Sequence, residues 1–293
     1  MDQGSNPRGI SMHNKKQNHA ILQNILRAAF WAAALFLAVL LAGCSAQPGT
    51  TFTQGKNLPV ITVGSDNYPP YNYEDTNGEP TGIDVDLATE AFRRMGYEAR
   101  FVTIDWEAKK ELVEKGEIDC IWGSFSIDGR ENQYQWTEPY MYSRQVIAVR
   151  HNSEIDSLAD LAGKRIAVQS TSKPEELFLS HKDPRIPQVG ELFSLQKREL
   201  IYPYLSKGYV DAIAAHEVSI LQCMEDYDLQ YRILDEPLLT VGLGVAFAKN
   251  DDRGLAQTLS ETFAEMKADG TTHQILSKYL SQPDKFLEVD GNA

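Results

Sequence analysis

The sequence predicts an α/β protein of two lobes with a hinged cleft between them. Three observations carry this expectation. Apolar strand-like runs alternate with segments of helical spacing, the pattern of βαβ units and a mainly parallel sheet. The alternation runs once up to Trp122 and restarts at Lys164. Two apolar strand-like stretches, Val146–Arg150 and Val241–Ala248, are placed to carry the chain across and back. Lobe 1 is therefore expected over residues 58–145 with 243–285, and lobe 2 over residues 146–242. A cleft between hinged lobes is a preferred place for a small ligand.

The first series opens with a strand at Val60–Val63, ended by Gly64. Asp66-Asn67-Tyr68-Pro69-Pro70-Tyr71 follows as a rigid aromatic loop, because the prolines cannot continue a strand or helix. Asn77-Gly78 is a hairpin-type turn. Asp84–Met95 reads as a helix, with Val85, Ala88, Phe92 and Met95 on one face and Gly96 as its stop. A strand at Tyr97–Ile104, a helix at Trp106–Lys115 and a strand at Ile118–Trp122 complete the series.

The second series predicts a strand at Lys164–Gln169 and a helix at Pro174–Leu179, with proline in its first turn. Next come a strand at Gln188–Phe193, a helix at Gln196–Ser206 and a strand at Val210–Ala214. A helix at Val218–Met224 and a strand at Tyr231–Leu234 end the lobe. Helices at Arg253–Ala268 and Thr272–Leu280 close the chain.

Ahead of the lobes, Lys15, Lys16 and Arg27 precede an apolar run, Ala28–Leu40, and then Leu41-Ala42-Gly43-Cys44. A positive region, an apolar stretch, small residues and a cysteine match a bacterial lipoprotein signal over residues 1–43, with lipid carried on Cys44. An ordinary cleaved signal and an uncleaved anchor are the competing readings. The run is short for a membrane span, which typically needs ~20 residues. Residues 44–57, rich in Ser, Thr, Gly, Gln and Pro, read as a flexible tether. The mature protein is thus expected on the outer side of the cytoplasmic membrane, held by acyl chains. Met12, before His13, Asn14, Lys15 and Lys16, is a second candidate start.

The chain carries a formal charge of −13; residues 1–43 contribute +3, which leaves −16 on the remainder. So acidic a surface argues against nucleic acid. Of three cysteines, Cys120 and Cys223 fall in different lobes and read as small core residues. There is no Cys/His cluster with zinc spacing, and neither a metal nor a cofactor is expected.

Ligands of open α/β sheets lie beyond the carboxyl ends of the strands. Asp66, Tyr68 and Tyr71 follow the first strand; Ser124, Ser126 and Arg130 follow the third. Ser170, Thr171 and Ser172 precede a helix start, where capping and binding are compatible roles. His216 and Glu217 follow the strand that ends at Ala214. Trp106 and Trp122 read as core. A forked cation, hydroxyls, a helix N-terminus, acids and aromatic walls suit a small zwitterion, since arginine grips a carboxylate through two parallel hydrogen bonds.

Several segments occur in an order and spacing that resemble the extracellular solute-binding proteins of polar amino acid transporters, family 3. They include Val63–Tyr71, Thr81-Gly82-Ile83-Asp84-Val85-Asp86-Leu87, Gly116-Glu117-Ile118-Asp119 and Ser126-Ile127-Asp128-Gly129-Arg130. Glu138-Pro139-Tyr140, Leu158–Lys164, Lys207–Ala212 and Met266–Thr271 extend the likeness over about 58–282. The resemblance implies a periplasmic-binding-protein-like fold of type II. It implies a lipid-anchored protein, expected to be monomeric, that captures an amino acid or similar small carboxylated polar solute and delivers it to the permease of an ABC transporter. It also implies that Arg130 binds the α-carboxylate, that Ser126 and the Ser172 region add donors, and that Tyr68 and Tyr71 line the side-chain pocket.

The departures from that pattern are specific. The loop before Arg130 is one residue short, so Ser124 and Ser126 compete for one role. Lys173 stands where a small hydroxyl residue is common, and offers a second carboxylate partner. His216 takes the position of the family's ammonium-binding Asp, and a neutral histidine supplies no full negative charge. Glu217 or Asp66 replaces that charge, or the ligand is not an ordinary α-amino acid. A ligand-binding sensor and a dehydratase-type enzyme using His216 and Glu217 are the alternative functions; no nucleophile–base–orienter set is evident.

Overall fold

The computed structural model describes residues 58–288. The signal over 1–43, Cys44 and the tether to residue 57 lie outside the described residues.

The chain begins with β1 (Val60–Ser65), buried along almost its whole length because it is covered on both faces. A short hairpin, β2 (Tyr73–Glu74) with β3 (Pro80–Thr81), closes around the Asn77-Gly78 turn. Helix α1 (Ile83–Arg94) follows at once and buries Ile83, Leu87, Ala88, Ala91 and Phe92. The residue before it must be glycine: Gly82 has φ +123°, and a Cβ there would collide with the Tyr71 carbonyl. Then come β4 (Glu98–Thr103), a 3₁₀ turn at Trp106–Ala108, α2 (Lys109–Lys115), β5 (Cys120–Ile121) and β6 (Gln135–Trp136).

The long strand β7 (Met141–Arg150) leads into the second lobe. There β8 (Arg165–Gln169), α3 (Lys173–Ser180), β9 (Glu191–Leu195), α4 (Ile201–Ser206), β10 (Ala212–His216), α5 (Glu217–Asp226) and β11 (Tyr231–Ile233) follow. β12 (Leu239–Leu243) and β13 (Ala246–Phe247) bring the chain back to α6 (Leu255–Ala268) and α7 (Thr271–Leu276).

One sheet has the order β4-β1-β5-β13-β6; the other runs β11-β7-β10-β8-β9, with β12 also on β7. The expected parallel pairs are present, β1 with β4 and β5, and β8 with β9 and β10. The sheets are nevertheless mixed. β7 runs antiparallel to β10, β11 and β12, and β13 antiparallel to β5 and β6. Continuous apolar runs report burial on two faces and carry no strand direction, so the crossing strands were not legible as antiparallel.

The expected strand at Val241–Ala248 is two strands: β12 joins the second sheet and β13 the first. The expected strand at Gln188–Phe193 lies later, at Glu191–Leu195. The expected helix at Gln196–Ser206 starts at Ile201, after a 3₁₀ turn over Arg198–Leu200. The expected lobe boundaries, after residues 145 and 242, fall inside β7 and β12. Phe92, Trp122, Leu259 and Phe263 pack in one core, and Ile147, Leu158, Leu161 and Ile166 in another. Cys120 and Cys223 are buried and unpaired.

Asp84, in the first turn of α1, is only 1 % exposed. It accepts the Ser124 N–H at 2.7 Å, the Tyr140 hydroxyl at 2.8 Å and the Asn72 amide at 3.0 Å. Burial lifts its pKa to about 7, against the pull of those donated hydrogen bonds. In Asp84→Ala three buried donors lose their acceptor, and the unfolding free energy in urea should fall by about 3 kcal/mol or more. Between about pH 4 and 7 the folded protein keeps a proton that the unfolded carboxyl has released, so the Asp84 contribution declines as pH rises through that window. Stability of the alanine variant should therefore climb more steeply with pH there, by up to about 1.4 kcal/mol per pH unit.

Candidate functional site

The residues after β5 form the first wall. Ser124 adopts φ +46°, and Asp84 fixes its amide in that turn. Ser126 forms a β-bridge with Leu243. The turn at Gly129, with φ +76°, then delivers Arg130, whose amide donates to Ile127 O at 2.9 Å. Arg130 is 8 % exposed, and its guanidinium lies 5.3 Å from the Phe125 ring centroid. Its hydrogen bonds are long: 3.3 Å to Ser126 O and 3.4 Å to Thr171 O. Glu176 Oε2 stands 3.6 Å away. Burial lowers the Arg130 pKa from an ordinary value so high that the charge is retained.

The second wall is built on α3 and the end of β10. Ser172 is the N-cap of α3; its hydroxyl accepts from Glu175 N at 3.4 Å and donates to Gln169 O at 2.6 Å. Thr171 has φ +55°, and its hydroxyl accepts from Lys109 Nζ at 2.8 Å. Lys173 is buried, with Nζ 2.9 Å from Glu176 Oε1. His216, the last residue of β10, is fully enclosed, and burial together with the nearby Arg198 charge pushes its pKa down to about 3. The ring is therefore neutral. Nδ1 lies 2.9 Å from Ser143 Oγ, and Nε2 accepts from Gln145 Nε2 at 2.8 Å.

These walls enclose a narrow cavity of about 20 Å³. Ser124, Ser126 and Arg130 line it from one side, and Thr171, Ser172, Lys173 and His216 from the other. The remaining expected residues are placed differently. Tyr68 and Tyr71 pack against each other and against His216, with ring centroids 5.4–5.8 Å apart, and stand behind the lining. Asp66 is engaged by Gln169 at 2.6 Å and by Arg198 at 3.2 Å. Glu217 faces a separate groove, where Arg144 donates to it at 2.9 Å.

Other lining residues escaped the sequence reading. Trp106, expected in the core, borders the cavity with Phe125, Gln145, Gln169 and Arg198. Gln169 ends β8, and Arg198 follows β9 by three residues. The strand-end rule finds Arg198 once β9 is ended at Leu195 instead of Phe193. Lys109 lies just behind, between the Trp106 ring at 4.8 Å and the Phe125 ring at 5.7 Å. Burial and the Arg130 charge hold its pKa down to about 7.

Several bonds join the two walls directly. Asp66 pairs with Arg198, whose guanidinium lies 3.3 Å from the Tyr68 ring centroid. Lys109 reaches Thr171, Gln196 donates to Asp105 at 2.6 Å, and Ser219 to Pro69 O at 2.7 Å. The His216 N–H donates to the Tyr68 hydroxyl at 3.1 Å. The lobes are closed on each other across the cavity.

The sequence profile of the bacterial extracellular solute-binding proteins, family 3, matches residues 61–282. A histidine-binding periplasmic protein of Salmonella typhimurium is 32 % identical over 229 residues, covering 75 % of this chain and 86 % of the relative. The solved structure of an ABC uptake transporter substrate-binding protein from Streptococcus pneumoniae, with bound histidine, superposes with a TM-score of 0.70 at 25 % identity. That superposition covers 76 % of this chain and 92 % of the other. An ancestral arginine-binding protein bound to arginine gives a TM-score of 0.68 at 25 % identity, over 77 % of this chain and all of the other. With a profile that spans both lobes and every wall of the cavity, the chain belongs to the bacterial extracellular solute-binding proteins of family 3.

Proposed function

We propose that this protein captures an amino acid or similar small carboxylated solute on the outer side of the cytoplasmic membrane and hands it to an ABC transporter, without chemical change to the solute. The observation that carries the reading is Arg130. A buried guanidinium whose only hydrogen bonds are long and peripheral faces a cavity between two lobes, and a carboxylate can take two of its donors at once. The Ser126 and Ser124 hydroxyls supply further hydrogen bonds; that of Ser124 is buried with no partner. Closure is a population shift, since a solute touches both walls only when they meet. His216, neutral and held by Gln145 and Ser143, serves as a wall and not as a proton carrier.

The relatives that bind histidine and arginine support the transport reading. The lipoprotein-type motif supports an anchor at Cys44. In cells, Cys44→Ser should move the protein from the membrane fraction to the soluble one, as read by fractionation and immunoblot.

A thermal-shift screen of the full chain in detergent against amino acids and small organic acids tests the function. A solute at one hundred times its dissociation constant adds about 2.7 kcal/mol of stability. Arg130→Ala should abolish that shift, and a shift preserved at saturating solute would remove Arg130 from the site. Asp66→Asn, which weakens the pairing across the cleft, should lower affinity about tenfold in calorimetry, equivalent to about 1.4 kcal/mol.

A further inference from the structure

We propose that the solute carries two acid groups and a net negative charge, so that the site selects diacids over zwitterions and cations. This rests on the reading of the cavity as a carboxylate-binding site and narrows it. Among the described residues, three cationic side chains line the cavity, Arg130, Lys173 and Arg198, and no carboxylate does. Lys109 adds an amine beside the Trp106 and Phe125 rings, partly protonated near neutral pH.

The acids of this region are committed elsewhere. Asp66 is bound by Arg198 and Gln169, and Glu217 by Arg144 outside the cavity. Glu175 accepts the Thr171 N–H at 2.6 Å. Glu176 sits at the rim, half exposed, between Lys173 Nζ at 2.9 Å and Arg130 at 3.6 Å. That bridge has a second meaning: one carboxylate spans both cations, so Lys173 and Arg130 stand close enough to serve acid groups of a single small molecule. His216, on the opposite wall, is neutral with both ring nitrogens engaged within the protein. A solute ammonium would meet three cations in the lining and no carboxylate that is not already paired with one of them or placed at the rim, an arrangement that like-charge repulsion disfavours. Neutral acceptors remain: the side-chain oxygens of Gln145 and Gln169 are buried and without partners. They can receive the N–H groups of an amino diacid, which separates that ligand from a plain dicarboxylate.

The test is calorimetry on the full chain in detergent with L-glutamate, L-aspartate, succinate and glutarate against L-glutamine, L-histidine and L-arginine. The diacids should bind at least 100-fold more tightly than the amide and the cationic amino acids. Preference for glutamate and aspartate over succinate and glutarate would assign the two glutamine oxygens to the amino group; equal binding would assign the site to diacids at large. Binding of glutamine, histidine or arginine in preference to every diacid overturns this proposal and leaves solute capture intact. No binding across the panel overturns both. Lys173→Gln should lower diacid affinity at least tenfold and lower glutamine affinity less, and an equal loss for both ligands counts against it. His216→Asp should shift preference toward glutamine and arginine, with circular dichroism to verify folding; a folded variant of unaltered preference removes His216 from selectivity.

Discussion

The hydrogen bond from the Ser124 amide to the buried carboxylate of Asp84 holds the geometry on which the site depends. Ser124 follows the short strand β5 in a left-handed conformation, and the chain then runs through Ser126 and Gly129 to Arg130. Beyond it, Gly244 N donates to Phe125 O and Ile127 N to Gly242 O, both at 3.0 Å, and hold the rest of the segment. The anchor itself depends on Gly82, whose positive φ lets α1 start against the Tyr71 carbonyl and brings Asp84 inward. A backbone requirement at a glycine is thereby converted into the position of a guanidinium that faces the opposite lobe.

Around that guanidinium, burial sets the electrostatics. Arg130, Lys173, Lys109 and Arg198 are all buried or nearly so, in a protein whose overall charge is strongly negative. Water screens such charges poorly, and each needs a partner. Arg198 has Asp66 and the Tyr68 ring; Lys109 has two aromatic faces and the Thr171 hydroxyl. Arg130 has only long bonds and a rim carboxylate shared with Lys173. The imbalance is local, so the bulk acidity of the chain gives no guide to the charge of the solute.

The architecture is two-lobed and periplasmic-binding-protein-like, and much of it was readable from local signals. Strand β1, helix α1, the Asn77-Gly78 turn and the N-cap at Ser172 follow from periodicity, glycine stops and capping chemistry. Arg130 and His216 were reachable because they follow strands. Glu217 was reachable by the same rule and yet faces away: His216 ends β10 and Glu217 begins α5, so the chain changes direction between them. Gln145 carried no signal at all. It lies inside β7, and only the antiparallel register of β7 with β10 sets it beside His216.

By itself the sequence determined the α/β class, the order of most elements and the cluster of candidate ligands at strand ends. Those features are short-range: they depend on residues a few positions apart. Tertiary structure decided which charges pair. Arg198 meets Asp66 across 132 positions, and Lys109 meets Thr171 across 62. Such partnerships are set by how two lobes pack, and that packing is what removes every carboxylate from the lining and leaves the cations facing the cavity.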